Sequence, residues 1–325
     1  MRLSFFRAMC VVLCALALSS CAAGNYLQPI QKFRTATDDA KTSLDAELKA
    51  VDNTILDYSL SLAAADNDSK IVTVGGDCLT DSARCRLTLV AKDGDWPFSR
   101  GALGQNVSDL MAAVATYSAT LESIASATTA ADIQKGLNDA KANAISLAGT
   151  IETIPGATPG LKDRVTAYAG PITELVGFGL RQYTESVKIA ALRTAVGAMD
   201  IDLDAMVFVF DEASKAAANS NLEVLSQALI KAHLDLLDKP HDKKTLEALR
   251  TAAENLDTAL IGRPIAMFVA LRQAHAALND ALQGRFRSFE AVYPHLQTVI
   301  DEAQKFAHAA KQLEEAATKK GGKSS

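Results

Sequence analysis

The stretch that decides the fold reads LRTAVGAMDIDLDAMVFVFDEASKAA over residues 192–217. Its apolar positions recur at alternating steps of four and three residues, a spacing that keeps one apolar stripe along one side of an α-helix and is typical of helices that pack side by side. The stretch therefore predicts a long helix in a bundle with coiled-coil-like packing. The positions that form the stripe are Leu192, Val196, Met199, Leu203, Met206, Phe210, Ala213 and Ala217.

A turn is predicted at residues 238–242, which read DKPHD, because Pro240 cannot continue the incoming helix. A second apolar series follows the turn, and we expect it to fold back antiparallel to the first. Two segments that are apolar on nearly every side, centred at Phe208 and Phe268, lie at similar sequence distances from this turn. They are therefore predicted to face each other about 45 Å from the turn. The second series consists of Leu246, Leu249, Ala253, Leu256 and Leu260.

The N-terminal half shows helical periodicity on both sides of an irregular segment. Apolar residues recur every three or four positions over about residues 27–65, which predicts one long helix, and again from residue 107. Residues 66–106 are rich in glycine and contain two β-prone runs, so we predict a small β-hairpin insertion there. Cys78 and Cys85 lie in its connection and are predicted to form a disulfide that clasps the hairpin.

The start of the chain has the organisation of an export signal. Arg2 and Arg7 supply positive charge, and residues 8–18 form an uncharged, mostly apolar run. Such a run suffices for the core of a signal peptide but not for a bilayer-spanning helix, which needs about 20 residues. We therefore expect residues 1–20 to be removed on export.

The sequence Leu18-Ser19-Ser20-Cys21 resembles the bacterial lipobox, in which an aliphatic residue and two small residues precede a cysteine. The resemblance implies that the Cys21 thiol carries a diacylglyceryl group and that residues 21–26 form a short tether. It also implies sorting to the outer membrane, because Ala22 rather than aspartate follows the cysteine. Such multiple acylation is enough for stable anchoring. We expect the protein to lie on the periplasmic face of that membrane.

Composition excludes one class of partner. Removal of Arg2 and Arg7 with the signal peptide changes the formal charge from −5 to −7, and the sequence has no basic cluster. A mildly acidic chain of this kind is a poor candidate for nucleic-acid binding, so we expect none.

Few residues suggest chemistry. His275 stands out among the five histidines because it lies on an apolar stripe. A buried histidine with a side-chain partner is expected there more often than a metal ligand or a catalytic base. Asp200, Asp202 and Asp204 alternate with apolar residues, and we expect a solvated face rather than a cation site. We therefore predict no catalytic residue, no metal and no cofactor.

The two apolar segments also admit a ligand site. Side chains that could line an apolar cavity are Val207, Phe208, Phe210, Phe268 and His275. Deep core packing is the alternative explanation for the same segments, because a helix that is apolar on all sides is usually covered on all sides.

These patterns together predict an all-α protein. We expect an elongated antiparallel helical bundle over residues 27–318, with the hairpin insertion at 66–106 and a disordered tail at 319–325. Long helices suit docking onto partner proteins better than enclosing a substrate. We therefore expect a non-enzymatic, outer-membrane-anchored scaffold or accessory interaction subunit with a protein partner in the cell envelope. The alternatives are a module that binds an apolar ligand in the bundle core and, less favoured, an enzyme.

Overall fold

Helices make up nearly all of the part of the chain that the computed structural model describes, and this part is compatible with a helical bundle. The described residues are 26–65, 70–74, 86–91, 94–97, 102–152, 159–169, 184–261, 265–285 and 288–321. The helices are α1 (Leu27–Ala65), α2 (Ala102–Ser126), α3 (Ala130–Glu152), α4 (Leu161–Ala169), α5 (Thr184–Asp238), α6 (Lys243–Ile261), α7 (Ile265–Leu282) and α8 (Tyr293–Gly321), with a 3-10 helix at Phe289–Val292.

The predicted turn between the two apolar series is confirmed. α5 ends at Asp238 and α6 begins at Lys243. Asp242 closes the turn, because its N–H donates to the carbonyl of Lys239 at 3.1 Å. Its carboxylate also accepts a hydrogen bond from the N–H of Lys244 at 3.1 Å and so caps the start of α6.

Three short strands form a small antiparallel sheet in the order β1-β2-β3. They are β1 (Lys70–Val74), β2 (Arg86–Ala91) and β3 (Gly94–Pro97), and the third was not predicted. In its register Ile71 lies opposite Leu89, and Leu89 lies opposite Trp96. Cys78 and Cys85 lie outside the described residues, so their disulfide and the clasped hairpin stay predictions.

The chain divides into two compact units. Unit 1 comprises Met1–Asp38, Ala113–Met206 and Ala270–Val299, and unit 2 comprises Asp39–Ala112, Val207–Val269 and Ile300–Ser325. The largest fully buried side chains of unit 1 are Ile30, Phe33, Tyr117, Leu121 and Ile124. Those of unit 2 are Leu44, Ile55, Leu110, Met111, Phe210 and Phe268.

The first apolar series is buried as predicted, since its first six members from Leu192 to Phe210 are at most 2% exposed. The second series is wrong in its register. Leu246 is 57% exposed, whereas Ala252 is buried. The covered stripe of α6 consists of Thr245, Leu249, Ala252 and Leu256, of which only Ala252 is fully buried. Its residues, like those of the predicted series, are spaced by three and four, so the spacing alone did not say which side of α6 is covered.

Candidate functional site

The predicted ligand-lining residues of unit 2 form a packed aromatic pair. The rings of Phe210 on α5 and Phe268 on α7 stack with centroids 3.4 Å apart and planes 7° apart, and both side chains are buried. Val207, three residues before Phe210 on α5, is half-buried. The pair supports core packing rather than a cavity at these residues.

The predicted pairing of Phe208 with Phe268 is off by two residues. Phe208 is 51% exposed, and Phe210 takes its place against Phe268. Residues two apart on a helix point about 200° away from each other. Only one of the two phenylalanines can therefore face the core.

His275, the fifth predicted lining residue, belongs to unit 1 and is completely buried. Its Nε2 lies 3.0 Å from the hydroxyl of Tyr117, and its Nδ1 lies 3.3 Å from Oδ1 of Asp200. The amide of Asn279 donates to the other oxygen of Asp200 at 3.4 Å. The prediction of a buried histidine with side-chain partners is confirmed.

This cluster satisfies its own polar atoms. A neutral imidazole that donates Nδ1–H to Asp200 and accepts from the Tyr117 hydroxyl uses every donor and acceptor of the ring. The hydrogen bond from His275 lowers the pKa of Asp200, and burial raises the pKa of Tyr117. Tyr117 and His275 are both 0% exposed, so neither offers an atom to a substrate from solvent. The geometry is that of a structural network.

Asp202 departs from the sequence prediction, which placed all three aspartates on a solvated face. Asp204 is exposed, but Asp202 is 0% exposed, and within the described residues neither of its carboxylate oxygens has a hydrogen-bond partner. Burial raises its pKa to about 8. The sequence did contain a signal, since Ala191, Ala195, Ala198 and Asp202 follow steps of four, three and four residues. Asp202 thus continues a buried alanine stripe.

The last turns of α5 carry an exposed apolar stripe that the sequence analysis did not single out. Ile230, Leu234 and Leu237 are 49%, 56% and 62% exposed. Their spacing of four and three residues places them on one side of the helix. We call these three residues the α5 stripe.

The α5 stripe lies on the side of the helix opposite to the side that is buried. Leu225 and Ala232 are 2% and 8% exposed. Ile230 and Leu234 are each two residues from Ala232, which is a rotation of about 200° around the axis. This end of α5 is thus apolar on two opposite sides, of which one is covered. A contiguous exposed apolar stripe, unlike a single exposed leucine, is typical of an interaction surface.

The other predicted site residues are outside the part of the chain that the structure describes. These are Cys21, Cys78 and Cys85. Among the described helices, none combines the length and the apolar content that crossing a bilayer requires. Within the described ranges no three His, Cys, Asp or Glu side chains are placed to hold a metal ion.

Comparisons with protein-family models, with curated proteins and with solved structures find no match for this chain.

Proposed function

We propose that this chain is a lipid-anchored, non-enzymatic interaction protein of the bacterial cell envelope. The observation that carries the proposal is the α5 stripe, Ile230, Leu234 and Leu237, whose side chains are 49–62% exposed on the uncovered side of the helix. Apolar surface removed from water stabilises a complex by about 25 cal/mol per Å². A complex in which a partner covers the stripe is therefore stabilised relative to the separate chains.

The anchor belongs to the same proposal. Cys21, as the last residue of a lipobox, would carry the acyl chains that hold the protein on the periplasmic face of the outer membrane. Tyr26, the last residue of the predicted tether, is buried, and its hydroxyl donates to Glu185 at 2.6 Å, so the free length of the proposed tether is the five residues 21–25. Five extended residues span at most about 18 Å. The start of α1 would therefore stay close to the membrane surface.

The described interior supports a role that is not catalytic. The polar groups around His275 bond to one another, and the buried rings of Phe210 and Phe268 stack on each other where an apolar ligand cavity was predicted. We propose that the long helices form an antiparallel bundle with coiled-coil-like packing. The Cys78–Cys85 disulfide would clasp the connection from β1 to β2.

The proposal is tested by photo-crosslinking in cells. A benzophenone-bearing residue is placed at Leu234 of the full-length chain, and irradiation should yield a covalent adduct of higher mass. The matched control is Leu60 of α1, which is 48% exposed but lies outside the stripe. Equal adduct yields at the two positions, or none at Leu234, would contradict a docking role for the stripe.

A further inference from the structure

We propose that the α5 stripe docks against the same stripe of a second copy of this chain, in an antiparallel pair about a two-fold axis beside Leu234. The inference rests on the proposed function of the stripe as a docking surface and names its occupant.

The spacing of the stripe suits a helix partner. Apolar residues at steps of four and three form the seam along which two helices pack, at axis separations of about 8–10 Å. In a two-fold pair the same patch serves both copies, so each residue faces one that lies at nearly the same distance from the axis on the other side. An axis beside Leu234 brings Leu234 close to its own counterpart. It also brings Ile230 of one copy next to Leu237 of the other.

The charges beside the stripe are complementary to themselves in this arrangement. Lys231 and Asp238 are both exposed and are seven residues apart, so they lie on the same flank of the stripe. In an antiparallel two-fold pair, residues on the same flank face each other. Lys231 precedes Leu234 by three residues and Asp238 follows it by four. Lys231 of each copy therefore meets Asp238 of the other, which forms two ion pairs.

The charge at the end of α5, in the turn and at the start of α6 favours a protein partner over a lipid surface. Helices that lie on membranes combine an apolar face with an excess of lysine and arginine. Residues 230–247 instead balance positive and negative side chains. The positive ones are Lys231, Lys239, Lys243 and Lys244, and the negative ones are Asp235, Asp238, Asp242 and Glu247.

A cysteine crosslink tests the two-fold axis in membranes of cells that express the full chain. Leu234→Cys places a thiol next to its counterpart, and mild oxidation should give a dimer on a non-reducing gel. Leu60→Cys, at a similarly exposed leucine, is the control and should stay monomeric. A dimer that forms equally from both variants would mark random collision and would overturn the inference.

Charge swaps in the Leu234→Cys background test the antiparallel register. Lys231→Asp and Asp238→Lys each turn two attractions into two repulsions and should lower the dimer fraction severalfold, up to about tenfold. The double variant restores opposite charges across the axis and should recover the dimer. Failure of the double variant to recover it would overturn the register. Lys231 and Asp238 are both exposed in the free chain, so their substitution should not disturb its core. Circular dichroism of each variant checks that helicity is kept.

The outcomes separate the inference from the proposed function. Absence of a Leu234→Cys dimer, together with a benzophenone adduct at Leu234 to a different protein, would overturn self-association and keep the docking role. Absence of both products would overturn both.

Discussion

At the scale of single residues, the interior of unit 1 contrasts one satisfied polar group with one that is not. His275 has partners at both ring nitrogens, whereas Asp202 has none within the described residues. A buried polar group costs free energy unless it is hydrogen-bonded. The two side chains should therefore respond in opposite ways to substitution.

We expect His275→Ala to destabilise the protein by about 3 kcal/mol, because it leaves a cavity and removes the imidazole that bonds to the Tyr117 hydroxyl and to one oxygen of Asp200. His308→Ala is the matched control, since His308 is exposed on α8. Its effect should stay within about 0.5 kcal/mol. Urea unfolding measures both, and equal stabilities of the two variants would show that the buried network contributes little.

Asp202→Asn should stabilise the protein, and the gain should depend on pH. Burial raises the pKa of Asp202 to about 8 in the folded state, while the unfolded value is about 3.9. Below pH 4 the carboxyl group is protonated in both the folded and the unfolded state, so its raised pKa does not lower the free energy of unfolding. Between pH 4 and 8 folding retains a proton that the unfolded chain loses, so wild-type stability falls by up to about 1.4 kcal/mol per pH unit.

Asparagine does not titrate, so the advantage of Asp202→Asn should be small at pH 5 and much larger at pH 8. Unfolding in urea at the two pH values measures the difference. An advantage that is the same at both values would mean that Asp202 is ionised in the folded protein.

At the scale of elements, α3 offers two glycines in different surroundings. A Cβ at Gly136 would lie 2.7 Å from Cγ1 of the fully buried Ile124, whereas at Gly149 it would meet nothing within 4 Å. Alanine favours a helix over glycine by up to about 1 kcal/mol at both sites. At Gly136 overpacking of about 1–3 kcal/mol opposes that gain.

Gly149→Ala should therefore stabilise the protein, and Gly136→Ala should be less stable than Gly149→Ala by about 2 kcal/mol. Chemical unfolding of the pair is the measurement. If both variants are stabilised equally, α2 and α3 do not approach as closely at Ile124 as the structure has them.

The elements also show how far the sequence could be read. The bounds of α1 and the turn after Asp238 follow from apolar spacing and from Pro240, because both signals are local. The choice between Phe208 and Phe210, and between Thr245 and Leu246, depends on which side of a helix its neighbours cover. Periodicity predicts which residues share one side of a helix but not which side is covered by neighbouring elements. For this reason the exposure of the α5 stripe could be seen only in the structure.

At the scale of the whole molecule, the proposed function requires the lipid at Cys21. Cys21→Ser should block cleavage after Ser20 and abolish the acylated form. The protein should then keep its signal peptide and run at higher apparent mass, and metabolic labelling with a fatty acid should find no label. A variant that is still processed and labelled would show that the lipobox resemblance is misleading.

The central claim is that the α5 stripe is covered in the cell. Thiol labelling of Leu234→Cys tests it directly, with Leu60→Cys as the reference, first in intact cells and then with the purified protein at high dilution in detergent. In cells, residue 234 should be labelled severalfold more slowly than residue 60. The ratio of the rate at residue 234 to the rate at residue 60 should rise on dilution, because the partner dissociates. A ratio that is the same in both conditions would contradict a docked stripe and the interaction role built on it.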